Sequence, residues 1–374
     1  GRKRKVGYYK YRKNAKTGGE RMRKGKRLIA WIMAVVMLFT ICVFGGNGTA
    51  EAAATTPVAK HGRLSVKGAD LVDSKGNKFQ LRGISTHGIN WDVGSPYVNK
   101  KAFKTLRDDW GVNAIRLAMY TEEYNGYCSG GSQAKLRKLV DKGVGYATDL
   151  GMYAIIDWHI LSDGNPNKNK AQAKKFFTTM AKKYKNNKNV IYEICNEPNG
   201  CGWKEIKSYA TDIIKTIRKY DKKAVIIVGT PTWSQLGTDG TSNEVADSPI
   251  KGYKNIMYSL HFYASEWAHN EYLPAKVAYA RKKKLPIIVS EFGLSPASGD
   301  GAINKASADK WMKLLNKYNI SYFCWSLSNK NESASLLKPS TKKTSGWKSG
   351  DLSTAGKYIK KKYLARKKAL GKKA

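Results

Sequence analysis

Eight short apolar runs, rich in β-branched and aromatic residues, recur along this chain with amphipathic segments between them. They are Gln80–Ile84, Ala114–Ala118, Tyr153–Asp157, Val190–Ile194, Val225–Val228, Ile256–His261, Ile287–Ser290 and Tyr322–Trp325. Near-continuous apolar runs of this length suit strands buried on both faces, as in parallel sheets. The segments Lys135–Leu150, Gln172–Tyr184, Lys204–Tyr220, Leu273–Lys283 and Lys305–Tyr318 place apolar residues at helical spacing among lysines. Parallel strands need crossover connections, and a helix supplies one. Eight such units close most simply into a (β/α)₈ TIM barrel. An open doubly wound sheet is the alternative, but no Gly-rich phosphate loop follows any strand.

At 374 residues the chain could hold two or three average domains, yet one barrel with tails also fits. There is no Pro/Ser/Thr-rich linker, second module or internal repeat. A single catalytic domain is therefore expected over residues 55–363, followed by a basic C-terminal tail, 364–374. Residues 22–54 have the order of a secretory signal: basic Arg23–Arg27, apolar Leu28–Phe44, then small residues around Ala50–Ala54. Met22 is the expected start, with residues 1–21 a basic lead upstream of it. Secretion follows from this pattern, and an uncleaved membrane anchor is the alternative, since the apolar run nears the length of a span.

The formal net charge is +40. Much of it lies in the two terminal segments and the rest is spread over helix faces, with no nucleic-acid-reading motif, so nucleic acid is not an expected partner. Association with an anionic cell envelope is a second reading of the charge. Cys195 and Cys324 fall in strands and read as small buried residues, while Cys128 and Cys201 sit in loops and could pair outside the cell.

Two of the strand-like runs end in glutamates: Glu197 in VIYEICNEPNG and Glu291 in LPIIVSEFG. In a parallel barrel such positions lie on the rim where active sites form. A carboxylate pair across a cleft is the equipment of glycosidic-bond hydrolysis. Either fragment alone is an ordinary turn. Rim histidines, an arginine and tryptophans at other strand ends give the pair its weight, and ten tryptophans and 22 tyrosines are ample for stacking sugars.

The segments STHGINW, IRLAMY, IIDWHILSD, YEICNEPNG, GTPTWSQ, HFYA, VSEFG and CWSLSNKNE follow one another at the strand ends between Ser85 and Glu332. In content and order they resemble glycoside hydrolase family 5, and within it the bacterial endo-β-1,4-glucanases. The resemblance implies a (β/α)₈ fold and a retaining, cofactor-free cellulase; β-1,4-glucan is the expected partner, and a monomer the expected state. It makes Glu197 the general acid/base and Glu291 the nucleophile. Arg116 and Tyr263 would hold Glu291 charged and oriented, and a negative Glu291 would keep Glu197 protonated. Arg116 could instead pair with Glu193, the second-choice acid.

By the same resemblance, Asn196 hydrogen-bonds the sugar 2-hydroxyl, and His87, His159 and His261 line the cleavage point. Trp325, Trp91 and Trp233 are expected sugar platforms, with Trp233 on the leaving-group side. Tyr120 joins the binding set, and Lys330 and Glu332 read hydroxyls further out. Where the family usually has tryptophan after the nucleophile, this chain has Phe292. The histidines could suggest a metal, but carboxylate-pair hydrolysis of a neutral sugar needs none. Sibling activities on mannan, xyloglucan or mixed-linkage glucan share the same catalytic residues. A non-hydrolytic glucan-binding envelope protein is the reading from a different class.

Overall fold

The computed structural model describes residues 56–371, so the lead and signal segments expected over 1–54 lie outside the described residues. A short antiparallel pair, β1 (Ser65–Lys67) and β2 (Asp70–Val72), precedes the main sheet. Eight strands then follow: β3 (Arg82–Thr86), β4 (Ala114–Tyr120), β5 (Tyr153–His159), β6 (Val190–Glu193), β7 (Ile226–Val228), β8 (Ile256–Tyr263), β9 (Ile287–Gly293) and β10 (Tyr322–Leu327). They close in chain order with β10 against β3, every pairing parallel. The expected (β/α)₈ barrel is the observed fold.

The crossovers are α1 (Lys100–Trp110), α2 (Gln133–Asp149), α3 (Lys170–Tyr184), α4 (Trp203–Arg218), α5 (Trp267–Lys282) and α6 (Lys305–Tyr318), with α7 (Thr354–Gly371) after the last strand. Between β7 and β8 only two single turns occur, Pro231–Ser234 and Glu244–Asp247. Local chemistry sets the helix limits. Asn99 Oδ1 accepts from Ala102 N–H at 2.7 Å to start α1, and Gly111 ends it at φ 73°. In α4 the residues Ile206, Tyr209, Ala210, Ile213, Ile214 and Ile217 form one buried stripe. The expected tail begins inside α7, which runs on past buried Tyr363, and Arg366 Nε donates to Gln80 Oε1 at 2.8 Å.

Alternation along the strands sorts the barrel interior into layers. The lowest is apolar: Leu81, Ala114, Tyr153, Ile155, Ile191, Val225, Ile227, Met257, Ile288 and Phe323, capped from below by Leu64, Leu71 and Phe79. Two residues further along the strands the inward positions become polar, with Arg116, Asp157, Glu193 and Ser259, all fully buried. Two further still come Ala118, His159 and His261. Opposite β8, the register of β9 slips: Ser259 pairs with Ile288, but His261 pairs with Glu291. Three residues of β9 thus span two of β8. Such a bulge re-aims side chains, and both Ser290 and Glu291 reach into the barrel, as their hydrogen bonds show.

Candidate active site

The C-terminal ends of the strands enclose a cavity of about 650 Å³. Of the fourteen residues singled out from the sequence, twelve line it: His87, Trp91, Tyr120, His159, Glu197, Trp233, His261, Tyr263, Glu291, Trp325, Lys330 and Glu332. The other two, Arg116 and Asn196, are fully buried beneath it.

Arg116 joins the layers. Its Nε and Nη2 donate to the two oxygens of Glu193 at 2.8 and 3.2 Å, and its Nη1 donates to Glu291 Oε2 at 2.9 Å. Nη2 also donates to Asn196 Oδ1 at 2.6 Å and lies 3.1 Å from Asp157 Oδ2. Burial works against the guanidinium charge, but Asp157, Glu193 and Glu291 outweigh it and hold Arg116 protonated. Both alternatives read for Arg116, partner of Glu291 or of Glu193, are realised at once. Asn196 is committed below the cleft floor, with Nδ2 donating to Ile160 O at 3.0 Å.

Tyr263 Oη donates to Glu291 Oε1 at 2.7 Å, so both oxygens of Glu291 accept hydrogen bonds. A carboxylate oxygen of Glu197 and one of Glu291 lie within 4.8 Å of each other, and His261 falls within the same radius. Two unit charges at that separation repel by roughly 3.5 kcal/mol in an effective dielectric near 20, so the pair retains one proton near neutrality. Burial pushes the Glu197 carboxyl up to about 8, with Arg116 opposing and Asp157 and Glu193 adding to the rise.

The hydrogen bonds around His261 place that proton. Ser290 Oγ has one hydrogen, given to Glu193 Oε1 at 2.6 Å. It must therefore accept from His261 Nε2 at 2.9 Å, which leaves His261 Nδ1 as an acceptor facing Glu197 Oε1 at 2.8 Å. Burial lowers the His261 pKa to about 4, so the ring is neutral and carries that single N–H. The hydrogen between Glu197 and His261 belongs to the carboxyl group. These three donors could in principle take a cation, but the Arg116 guanidinium on Glu291 already supplies the positive charge there.

His159 Nδ1 lies 2.5 Å from Asp157 Oδ2. Burial lowers His159 to about 3 and raises Asp157 to about 7, the latter opposed by Arg116. The ring of His159 stacks on Trp325 at 5.3 Å and 21°. His87, also neutral through burial, lies 5.0 Å from the Trp325 ring and, by Nε2, 3.7 Å from Glu332 Oε1. Lys330 Nζ donates to Glu332 Oε2 at 2.6 Å, so these two form one polar edge. Trp91 is held by Nε1 donating to Tyr124 O at 2.8 Å and meets Tyr120 at 4.5 Å. Phe292 packs on Phe262 outside the barrel at 5.2 Å and takes no part in the cleft.

Trp233 stands on a left-handed turn. Thr232, Trp233 and Ser234 have φ of 58°, 53° and 60°, a conformation costing roughly 1–2 kcal/mol per residue. Hydrogen bonds hold it: Trp233 N donates to Pro198 O at 2.9 Å and Ser234 Oγ to Asn196 O at 2.7 Å. The Asn196–Pro198 segment that carries Glu197 thus fixes the turn, and the indole projects 47% exposed beside the acid.

Sequence reading passed over Asp157 and Ser290. Each lies at an inward strand position next to a named residue, so a polar residue inside an apolar run was the available signal. Glu123, Gln235 and Glu266 also line the cleft from loops, where no periodicity marks them. Cys195 and Cys324 are buried free thiols as expected, and Cys128 and Cys201 are free thiols too.

Residues 72–331 match the family model for cellulase (glycosyl hydrolase family 5). An endoglucanase of Clostridium saccharobutylicum is 47% identical over 90% of this chain and 72% of its own length. Endoglucanase 5 of Pectobacterium carotovorum is 45% identical over 86% of this chain, which spans only 62% of that relative. Among solved structures, the catalytic domain of Thermobifida fusca endoglucanase Cel5A in complex with cellotetraose superposes with a TM-score of 0.76. It is 36% identical, over 83% of this chain and 99% of that one.

Proposed function

The chain belongs to glycosyl hydrolase family 5, the cellulase family, and we propose that it is a secreted endo-β-1,4-glucanase that cleaves internal glucosidic bonds with retention of configuration. The observation that carries the mechanism is the approach of an oxygen of Glu197 and one of Glu291 to within 4.8 Å, and burial, which raises the Glu197 carboxyl, favours the shared proton there. Retaining hydrolases hold their carboxyl groups about 5–5.5 Å apart, whereas inverting ones leave about 6.5–9.5 Å for a water molecule. An oxygen of each carboxyl within 4.8 Å of the other favours the shorter, retaining spacing.

Glu291, oriented by Arg116 and Tyr263, attacks the anomeric carbon, while Glu197 gives its proton to the departing glycosidic oxygen. Formation of the glycosyl–enzyme ester removes the charge on Glu291, so Glu197, now ionised, can take a proton from water. His261 Nδ1 directs the Glu197 carboxyl in both steps. Trp325 and Trp91, with the Lys330–Glu332 edge, hold the glycone. Trp233, fixed to the acid-bearing segment, stacks the leaving chain.

The test is reducing-end release and viscosity loss on soluble cellulose, run beside mannan, xyloglucan and mixed-linkage glucan. A rapid viscosity drop on the β-1,4-glucan supports the endo reading. Faster cleavage of another polymer would move the assignment to a sibling activity. Glucan binding without new reducing ends would overturn hydrolysis altogether.

A further inference from the structure

Among the described residues, five large apolar side chains are exposed: Tyr124, Trp233, Trp267, Tyr272 and Leu364. Trp267 is the most exposed tryptophan of these, at 69%. An indole left in water forgoes one of the largest burial gains any side chain offers. It starts α5 directly after Glu266, which lines the cleft, and so stands at the same end of the barrel as the site.

The surroundings hold this corner in place. The rings of Trp267 and Tyr272 meet edge to face at 5.8 Å and 81°. Tyr272 in turn backs the loop that follows Trp233: a Cβ on Gly240 would lie 2.8 Å from its ring, so only glycine lets the backbone come so close. Lys276, buried one turn further along α5, donates by Nζ to Gln235 O at 3.1 Å and Asp239 O at 2.5 Å. On the other flank Glu266 Oε1 accepts from Ala297 N–H at 2.7 Å, and Ala297 also lines the cleft. A continuous chain of contacts therefore links the Trp233 platform through its loop to Tyr272 and Trp267.

Resting on the glucanase reading, we propose that Trp267 and Tyr272 form an outer platform that stacks glucosyl units of the leaving chain beyond those held by Trp233. A flat indole beside a polar carboxylate matches the apolar C–H face and hydroxyl edge of a glucosyl ring. The loop and helix contacts fix its position before substrate arrives, which lowers the ordering cost of binding. The platform favours long chains, since oligosaccharides too short to pass Trp233 never reach it.

The decisive experiment compares cellohexaose with cellotriose. Affinities are measured by calorimetry in a Glu291→Gln background, with and without Trp267→Ala, and an aryl β-cellobioside separately reports hydrolysis by the wild-type chain. Loss of one stacking contact should reduce the hexaose-to-triose affinity ratio about 3- to 10-fold. Trp267→Phe should restore most of it, and Tyr272→Ala should lower it in the same direction. An unchanged ratio in Trp267→Ala, in a protein whose melting temperature is also unchanged, overturns the platform. Failure of the aryl glycoside to react counts against the hydrolase reading and leaves the binding ratio to judge the platform.

Discussion

His261 Nδ1 accepts the proton that Glu197 Oε1 holds, across 2.8 Å, because Ser290 and Glu193 commit the other ring nitrogen to donation. The carboxyl so favoured in its protonated form, and pushed by burial to about 8, gives the enzyme an acid at neutral pH. Activity should therefore fall as pH rises through about 8, where Glu197 ionises. Replacing His261 by alanine removes the acceptor and lets water reach the carboxyl, two changes that favour its charged form. In pH profiles of kcat/KM on cellotetraose, that variant should move the alkaline limb down by about one unit, besides lowering the maximum. A limb that stays in place would contradict this proton assignment.

The same raised pKa has a cost in stability. A carboxyl with a folded-state pKa near 8 and an unfolded value near 4.5 binds its proton more tightly when folded. Its contribution is favourable at low pH and is lost as pH rises through that window. Glu197→Gln removes the titration and keeps the shape. Its melting temperature relative to wild type should therefore increase between pH 5 and pH 8.5, by roughly 3 °C or more. Parallel melting curves for the two proteins across that range would show that Glu197 is not held protonated in the fold.

Among the described residues, Arg116 is the one cation set among Asp157, Glu193 and Glu291, and the fork geometry engages three of its nitrogens. Arg116→Met strands buried carboxylates, a change that typically costs about 3–5 kcal/mol. Thermal unfolding should drop by about 5–8 °C, and activity should vanish even where the variant stays folded. Arg116→Lys keeps the charge but cannot reach all partners, so it should recover part of the stability and little of the activity. Wild-type melting in the methionine variant would refute the central role given to this residue.

Most of the barrel was legible because strands buried on both faces write themselves as apolar runs. Seven of the eight expected strands start within one residue of their observed positions, and the shift is two at β3. Their ends were read short for a physical reason. The strands β4, β5, β8, β9 and β10 continue two or three residues beyond the apolar runs, into Tyr120, His159, Tyr263, Glu291 and Leu327. There the inward positions are polar or aromatic because the site needs them, so the hydrophobic pattern stops before the strand does. The bulge that turns Glu291 inward leaves no mark on composition. Two helices escaped as well: α1, short and dense in lysine, and α7, whose charge masked the buried stripe of Tyr358, Ile359 and Tyr363.

Processing offers an independent check on secretion. The basic, apolar and small-residue order of Arg23 to Ala54 leads us to expect a mature terminus between Ala53 and Thr55. N-terminal sequencing of protein from the culture medium tests this. Material that retains Leu28–Phe44 and sediments with membranes would point to an anchor instead.

The roles of the two glutamates make the last and sharpest prediction. If the proposed double displacement holds, the first product should keep the β configuration, visible in the anomeric proton signal early in hydrolysis. Glu291→Gln removes the attacking group and should abolish turnover even of substrates with activated leaving groups. Glu197→Ala should still form the glycosyl–enzyme from such substrates, because a good leaving group needs little protonation. It should then stall, and added azide should restore turnover by attacking the ester without a general base, giving a β-glycosyl azide. An α-configured first product would rule out retention. Azide rescue of the Glu291 variant with a β-glycosyl azide as product would mean that the acid and the nucleophile had been interchanged, whereas an α-glycosyl azide there would be azide standing in for the missing nucleophile.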